Sequence, residues 1–321
     1  MTDARTWAKR IEADHELMES LGCEGAGMTL KELSVEYMEQ WTGRDTNQSI
    51  RVKHWVEVIG HHKLVDITKT IIESQVQKLE QGQCKRGNGV GQTVAMNKTR
   101  SPATINRYTS ALSSMLKYAL SKSYITINPT SKIPAKTLNN KIVRYLSDKE
   151  RRDLLAACKQ SSWGKLYLVT LLGMTTGMRK SEMMNLKWSG IDFDRSVAML
   201  STTKNGDPRH CPIPSFAMAE LKKFREIGDG LVFPSKLLPN QPIVFKKHWL
   251  KALERAGVSN FRFHDLRHTA ASYMIMNGVD IYETATILGH KDVQTTQRYA
   301  HLSTEHISKA NEKAMANIFN N

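Results

Sequence analysis

Four short stretches of the 321-residue chain carry side chains able to act on a phosphate or a metal ion. One is "FRFHDLRHTAASYMIMNG", residues 261–278, where His264, Asp265, Arg267 and His268 fall within five positions. Two imidazoles four residues apart, with a carboxylate beside the first, approximate the zinc-hydrolase pattern H-E-x-x-H. That chemistry needs a third ligand and a Glu base directly after the first His. Asp265 is one methylene shorter than that Glu, and Arg267 would hold a positive charge beside the cation. The other reading is a phosphate grip. His264 and Arg267, three residues apart, share a helical face near a helix N-terminus, where backbone N–H groups favour anions. Leu266, Ala270 and Tyr273 then face the core.

The remaining stretches add members to the phosphate reading. "TTGMRKSEMMNLKW" places Arg179 just past a glycine turn, at the start of a new helix. "TKNG" places Lys204 beside Asn205-Gly206, a strong hairpin-turn signal. "ILGHKDVQTTQRYAHLS" places His290 after a glycine at a helix boundary and Tyr299 nine residues later. Two arginines, two histidines, a lysine and a tyrosine are what phosphoryl transfer through a covalent tyrosine requires. Arginines clamp the pentavalent phosphate while the phenol attacks. Singly, each has a plainer reading: Arg179 as a surface charge, His290 as a helix cap, Tyr299 as a packed aromatic. His268 and His301 receive no role; His268 reads as a structural hydrogen-bonding residue and the His264/His268 spacing as incidental.

Positioning these residues takes mostly helices. The spacing predicts helices over 30–42, 47–59 and 68–81, and a longer one from Ser101, an N-cap followed by Pro102, to Lys122. Ile105, Tyr108, Leu112, Met115, Leu116 and Ala119 form its apolar stripe. Residues 81–100, rich in Gly, Asn and Lys, read as a long loop that orders on binding. Residues 128–141 have the composition of an extended basic linker. Beyond it, a helix begins near Ser147, a buried helix ends at Gly177, and Val197 and Met199 alternate with small residues as in a strand. Helices follow over 217–227, 243–256, 264–277 and 281–288, with one more at the C-terminus. The predicted domains are a short N-terminal segment (1–28), a helical domain with linker (29–135), and a second domain with its tail (136–321).

Charge narrows the partner. The net charge is +15. Residues 1–60 hold 7 Lys+Arg against 11 Asp+Glu, residues 61–140 hold 12 against 3, and residues 141–321 hold 27 against 17. A basic excess over both later segments suits an extended polyanion; a basic surface without such a partner is the alternative. No apolar run is long enough for a membrane span and the N-terminus lacks a secretory pattern, so the expectation is a cytoplasmic protein. Four widely spaced cysteines fit neither a disulfide framework nor a zinc knuckle.

Taken together and in this order, "TGMRKSEMMNLKW", "TKNG", "HDLRHTAAS" and "LGHKDVQTTQRYAHLS" resemble the tyrosine recombinases, the lambda-integrase-like family, over about residues 140–303. The resemblance implies a mainly α fold with a small antiparallel β-sheet: an all-helical core-binding domain plus an α+β catalytic domain. It implies that Tyr299 attacks the scissile phosphate to leave a 3′-phosphotyrosyl link. Arg179, Arg267, His264 and His290 would then cage the transition state, and Lys204 would protonate the departing 5′-oxygen, with no metal or cofactor. It further implies double-stranded DNA of the attachment-site kind clamped by the two domains. Four protomers would act on two duplexes, with an accessory bending or excision factor. The tail residues Ile307, Ala310, Ala314 and Ile318 would dock on a neighbour or on their own domain. Within that chemistry the expectation is the integrase of a prophage or other mobile element. The alternatives are a housekeeping chromosome-dimer resolvase and a DNA-binding regulator that does not cut.

Overall fold

The computed structural model of the protein describes residues 25, 27–87, 93–138, 143–200 and 208–303, with positions 308, 311–312 and 315–316 beyond them. The chain forms two compact units, Met1–Asn139 and Asn140–Asn321. Most of the 1–28 segment and the tail positions Ile307, Ala310, Ala314 and Ile318 lie outside the described residues.

In the first unit, α1 (Leu30–Glu39) starts from a reciprocal cap. The Thr29 hydroxyl accepts the Glu32 N–H at 3.3 Å, and the Glu32 carboxylate accepts the Thr29 N–H at 2.8 Å. The helices α2 (Gln48–Ile59), α3 (Lys69–Gln81, capped by Thr68) and α4 (Pro102–Ser121, capped by Ser101) complete the bundle. Of the expected stripe on α4, Ile105, Leu112, Met115, Leu116 and Ala119 are buried in one core with Leu30, Leu33, Trp55 and Ile72. Tyr108 is only partly buried, and its carbonyl accepts the Trp55 indole N–H at 2.8 Å.

This unit is not all-helical. Residues 83–99, expected as part of a loop, contain an antiparallel hairpin of β1 (Gln83–Gly87) and β2 (Thr93–Thr99), pairing Gln83 with Thr99 and Gly87 with Thr93. The glycines and asparagine between them set the composition of the segment, and the β-branched Thr93, Val94 and Thr99 are too few to show a period of two.

In the second unit, α5 (Asp148–Lys159) starts from a Ser147/Glu150 capping box. Helix α6 (Leu166–Thr176) buries nine of its eleven residues, so it is central rather than amphipathic. After α7 (Lys180–Met184) comes a three-stranded antiparallel sheet in the order β3 (Ile191–Asp192), β4 (Val197–Leu200), β5 (Arg209–Pro212). Its β4–β5 register pairs Leu200 with Arg209, and Ala198 and Leu200 point into the core. Lys204 and the Asn205-Gly206 turn belong to the connection between those strands and lie outside the described residues.

Helix α8 (Ser215–Lys222) stops short of the expected 227, since Ile227 is fully exposed and gives the last turn no burial. Helix α9 (Lys246–Arg255) begins later than the expected 243, because the Ile243 N–H bonds to the Phe233 carbonyl in an extended pairing. The helices α10 (Asp265–Met276), α11 (Ile281–Leu288) and the short α12 (Gln294–Gln297) carry the remaining motifs. Among the described residues no helix is long and apolar enough to cross a membrane.

Candidate active site

Two glycine turns aim the arginines and one histidine. Gly177 ends α6 with φ +60°, and a Cβ there would lie 2.3 Å from Leu288 Cδ2, so only glycine lets the end of α6 approach α11. The turn delivers Arg179 to the N-cap of α7. There the Glu182 carboxylate accepts its backbone N–H at 2.8 Å and its Nη1 at 2.7 Å. The Arg179 Nη2 donates to the Gly289 carbonyl at 3.1 Å. Glu182, with a side chain 1% exposed, also accepts Arg209 Nη2 at 2.9 Å, and Arg209 Nη1 reaches the Ile287 carbonyl at 2.5 Å. Burial alone would push the Glu182 carboxyl up, but the hydrogen bonds and charges of Arg179 and Arg209 outweigh it and hold it below the usual range.

Arg267 comes from α10 and is buried. Its Nη1 donates to the Gly177 carbonyl at 2.7 Å, while its buried Nη2 has no partner among the described residues. Burial, then the neighbouring Arg179, pull its pKa down to about 10, so it stays cationic at neutral pH. Gly289, at φ +67°, closes α11 and hands the chain to His290, whose Nδ1 bonds to the buried Thr296 hydroxyl at 2.7 Å.

Tyr299 follows α12 and is 2% exposed, packed among Ala271, Ile275 and Leu288. Its Oη lies 2.5 Å from His268 Nδ1. Burial pushes its phenol up to about 12, against the pull of Arg298 and Arg267. Burial and nearby cations likewise bring His290 down to about 4 and lower His264, where the cation is Arg267. Arg179, His264, Arg267, His268, His290 and Tyr299 all line one open cleft of about 760 Å³, with Lys180, Lys291 and Arg298 at hand. At neutral pH this is a phenol among guanidiniums and uncharged imidazoles, a site built for an anion that the phenol can attack.

The sequence profile of the phage integrase family matches residues 144–306. The chain belongs to that family of tyrosine recombinases. The integrase of Salmonella phage P22 is 28% identical over 328 residues, covering 94% of this chain and 83% of the phage protein. The tyrosine recombinase XerA of Thermococcus onnurineus is 36% identical over 154 residues, covering 46% and 54%. Among solved structures, the Tn1549 transposon integrase in complex with a circular intermediate DNA matches with TM-score 0.68 at 16% identity, covering 90% of this chain and all of that one. A lambda integrase dimer bound to a COC′ core site matches with TM-score 0.64 at 22% identity, covering 84% and 97%. These structural likenesses establish the fold. As a tyrosine site-specific recombinase the chain is an enzyme, and its mainly helical fold with a small antiparallel sheet is the one expected.

Five of the six residues singled out in the sequence meet in the cleft, while Lys204 lies outside the described residues. Glu182 and Arg209, which hold Arg179, were missed. Glu182 stands at the third helical position after an N-cap, a visible signal. Arg209 sits on a strand and meets its partners only across 27 and 78 residues of sequence, where no local pattern reaches. His264 and His268 share one face of α10, and His268 makes a hydrogen bond, as read from the sequence. Their rings stand edge to face at 5.3 Å, and the hydrogen bond of His268 goes to Tyr299. The geometry leaves the zinc pattern without a free carboxylate base. Both Asp265 oxygens are taken by Arg262, at 2.7 Å from its N–H and 2.8 Å from Nη2, and His268 Nδ1 is taken by the phenol.

Proposed function

We propose that the protein is an integrase that cuts and rejoins duplex DNA at attachment-type sites through a 3′-phosphotyrosyl intermediate. The observation that carries this reading is the burial of the Tyr299 phenol in the same cleft as Arg179 and Arg267, the latter with a guanidinium nitrogen that has no partner among the described residues. In this reading the scissile phosphate takes the Arg267 Nη2 and the Arg179 guanidinium as donors to its non-bridging oxygens. His264 and His290 complete the cage as neutral donors. Tyr299 Oη forms the bond to phosphorus as the bond to the 5′-oxygen breaks, and Lys204 supplies the proton to that oxygen. The phosphotyrosine keeps the bond energy, so attack by another 5′-hydroxyl reverses the step and joins new strands.

Both units contribute to DNA binding in this reading, since the basic excess extends over residues 61–321 and phosphate contacts dominate such affinity. Four copies act on two duplexes, an assembly supported by the structure of a lambda integrase tetramer bound to a Holliday junction, whose fold this chain shares. An accessory DNA-bending or excision factor sets the direction. A mobile-element role is favoured over chromosome-dimer resolution because the likeness to a phage integrase spans 94% of this chain, against 46% for the XerA protein.

The test is a nicked suicide duplex built from the junctions that flank the gene, incubated with the protein and a chelator. A covalent adduct is expected, unaffected by chelation and absent in Tyr299→Phe. Wild-type protein that binds this duplex and forms no adduct would overturn the catalytic reading, and a non-cutting regulator would replace it.

A further inference from the structure

We propose that His268 is a catalytic residue of this recombinase, the group that takes the proton from Tyr299 as the phenol attacks. The inference rests on the recombinase reading of the cleft and adds a residue to the six already named.

The geometry points to it. His268 lies one turn past His264 on α10, beside Arg267, and its Nδ1 is 2.5 Å from the Tyr299 Oη. No other hydrogen-bond partner of that phenol is found among the described residues. His264 is not bonded to it, and His290 Nδ1 is held by Thr296. The phenol is 2% exposed, so bulk water cannot readily take its proton. The protonation states also suit the transfer. Burial, with help from His264, Arg298 and Arg262 and against Asp265, brings His268 down to about 4, so its ring is neutral with a lone pair to offer. Its neighbours across the turn are Arg298 and Tyr299 itself. The neutral ring can carry its proton on Nε2 and accept the phenol O–H at Nδ1.

A basic group with so low an affinity for protons would be a poor acceptor in the empty site. The scissile phosphate changes that. An anion in the cleft adds negative charge near the ring, opposing the lowering by burial and by Arg298 and Arg262, and raises its basicity when the proton must move. The step balances: the Oη–H bond breaks as Oη–P forms, the proton passes to Nδ1, and P–O5′ breaks with a proton from Lys204. The imidazolium then returns its proton to the phenol when a 5′-hydroxyl attacks the phosphotyrosine.

His268→Asn separates proton transfer from positioning, because the amide oxygen can still accept the phenol hydrogen bond but cannot carry the proton away. Cleavage of the suicide duplex is expected to slow by about 10²-fold, the lower range for a general base, with DNA affinity within threefold of wild type. Two further readouts separate this from misfolding. The variant's rate should rise about tenfold per pH unit between pH 7 and 9, as hydroxide replaces the base, while the wild-type rate stays flat. A fluorinated tyrosine at position 299, a stronger acid, should restore most of the loss. Cleavage by His268→Asn within threefold of wild type, or a loss that neither pH nor the acidic tyrosine recovers, overturns the proposal. Failure of the wild type itself to form an adduct would instead overturn the reading on which it rests.

Discussion

Replacing Glu182 with Gln removes one negative charge from beneath two arginines and leaves the shape of the side chain. Glu182 is buried, and it accepts the Arg179 backbone N–H at 2.8 Å, Arg179 Nη1 at 2.7 Å and Arg209 Nη2 at 2.9 Å. Removing one partner of a buried ion pair costs about 3–5 kcal/mol, because the remaining charge is left without compensation. The Gln oxygen can still accept one of the three donors, so the lower end, about 3 kcal/mol, applies. For a cooperative unit of this size that is a fall of about 6–12 °C in the unfolding midpoint. Differential scanning fluorimetry measures it, and adduct formation on the suicide duplex measures the accompanying loss of Arg179 placement.

The pH dependence carries its own sign. The Glu182 carboxyl is held below its ordinary value in the folded state, so it binds protons more weakly there than in the unfolded chain. Its contribution is complete above the ordinary carboxylate pKa of about 4.3 and is lost as pH falls through the folded value. Glu182→Gln should therefore remove part of the acid-side loss of stability that wild type shows. A midpoint within 2 °C of wild type at about pH 7, with cleavage within threefold, would refute the view that this carboxylate holds the arginines.

Gly289→Ala forces a side chain onto φ +67° and sets a Cβ 2.6 Å from the Arg209 side chain, so a loss of about 2 kcal/mol by chemical denaturation is expected. Arg267→Ala should abolish the adduct while binding of the intact duplex falls only modestly; equal collapse of both would make it a general phosphate anchor. Fluorescence anisotropy should show log affinity for DNA falling linearly with log salt, with a steep slope from several phosphate contacts, and a flat response would count against a phosphate-dominated interface.

Much of the catalytic cleft was legible because its residues sit at element boundaries that sequence marks well. Glycine turns precede Arg179 and His290, and a helix start carries His264 and Arg267, so local chemistry and local structure coincide there. The hairpin at 83–99 was hidden because the turn residues at its centre outnumber the few β-branched positions that pair. Glu182 and Arg209 stayed unread for another reason: a buried carboxylate is recognised by what surrounds it, and its partners come from distant parts of the chain. His268 was visible as a hydrogen-bonding residue, but its partner was not. Its spacing from His264 suggested a metal, and nothing local to α10 tells that Tyr299, 31 residues later, folds back against it.

The crowding of Arg267 with Arg179 and Arg209 bears on how this enzyme rests between reactions. A buried cation close to Arg179 and Arg209 is held against their repulsion, which together with burial lowers its pKa. A phosphate in the cleft offsets that repulsion, so the same contact that orients the reaction also tightens the fold. Any anion that binds there stabilises the folded state by mass action, so resistance to unfolding should track occupancy of the cleft.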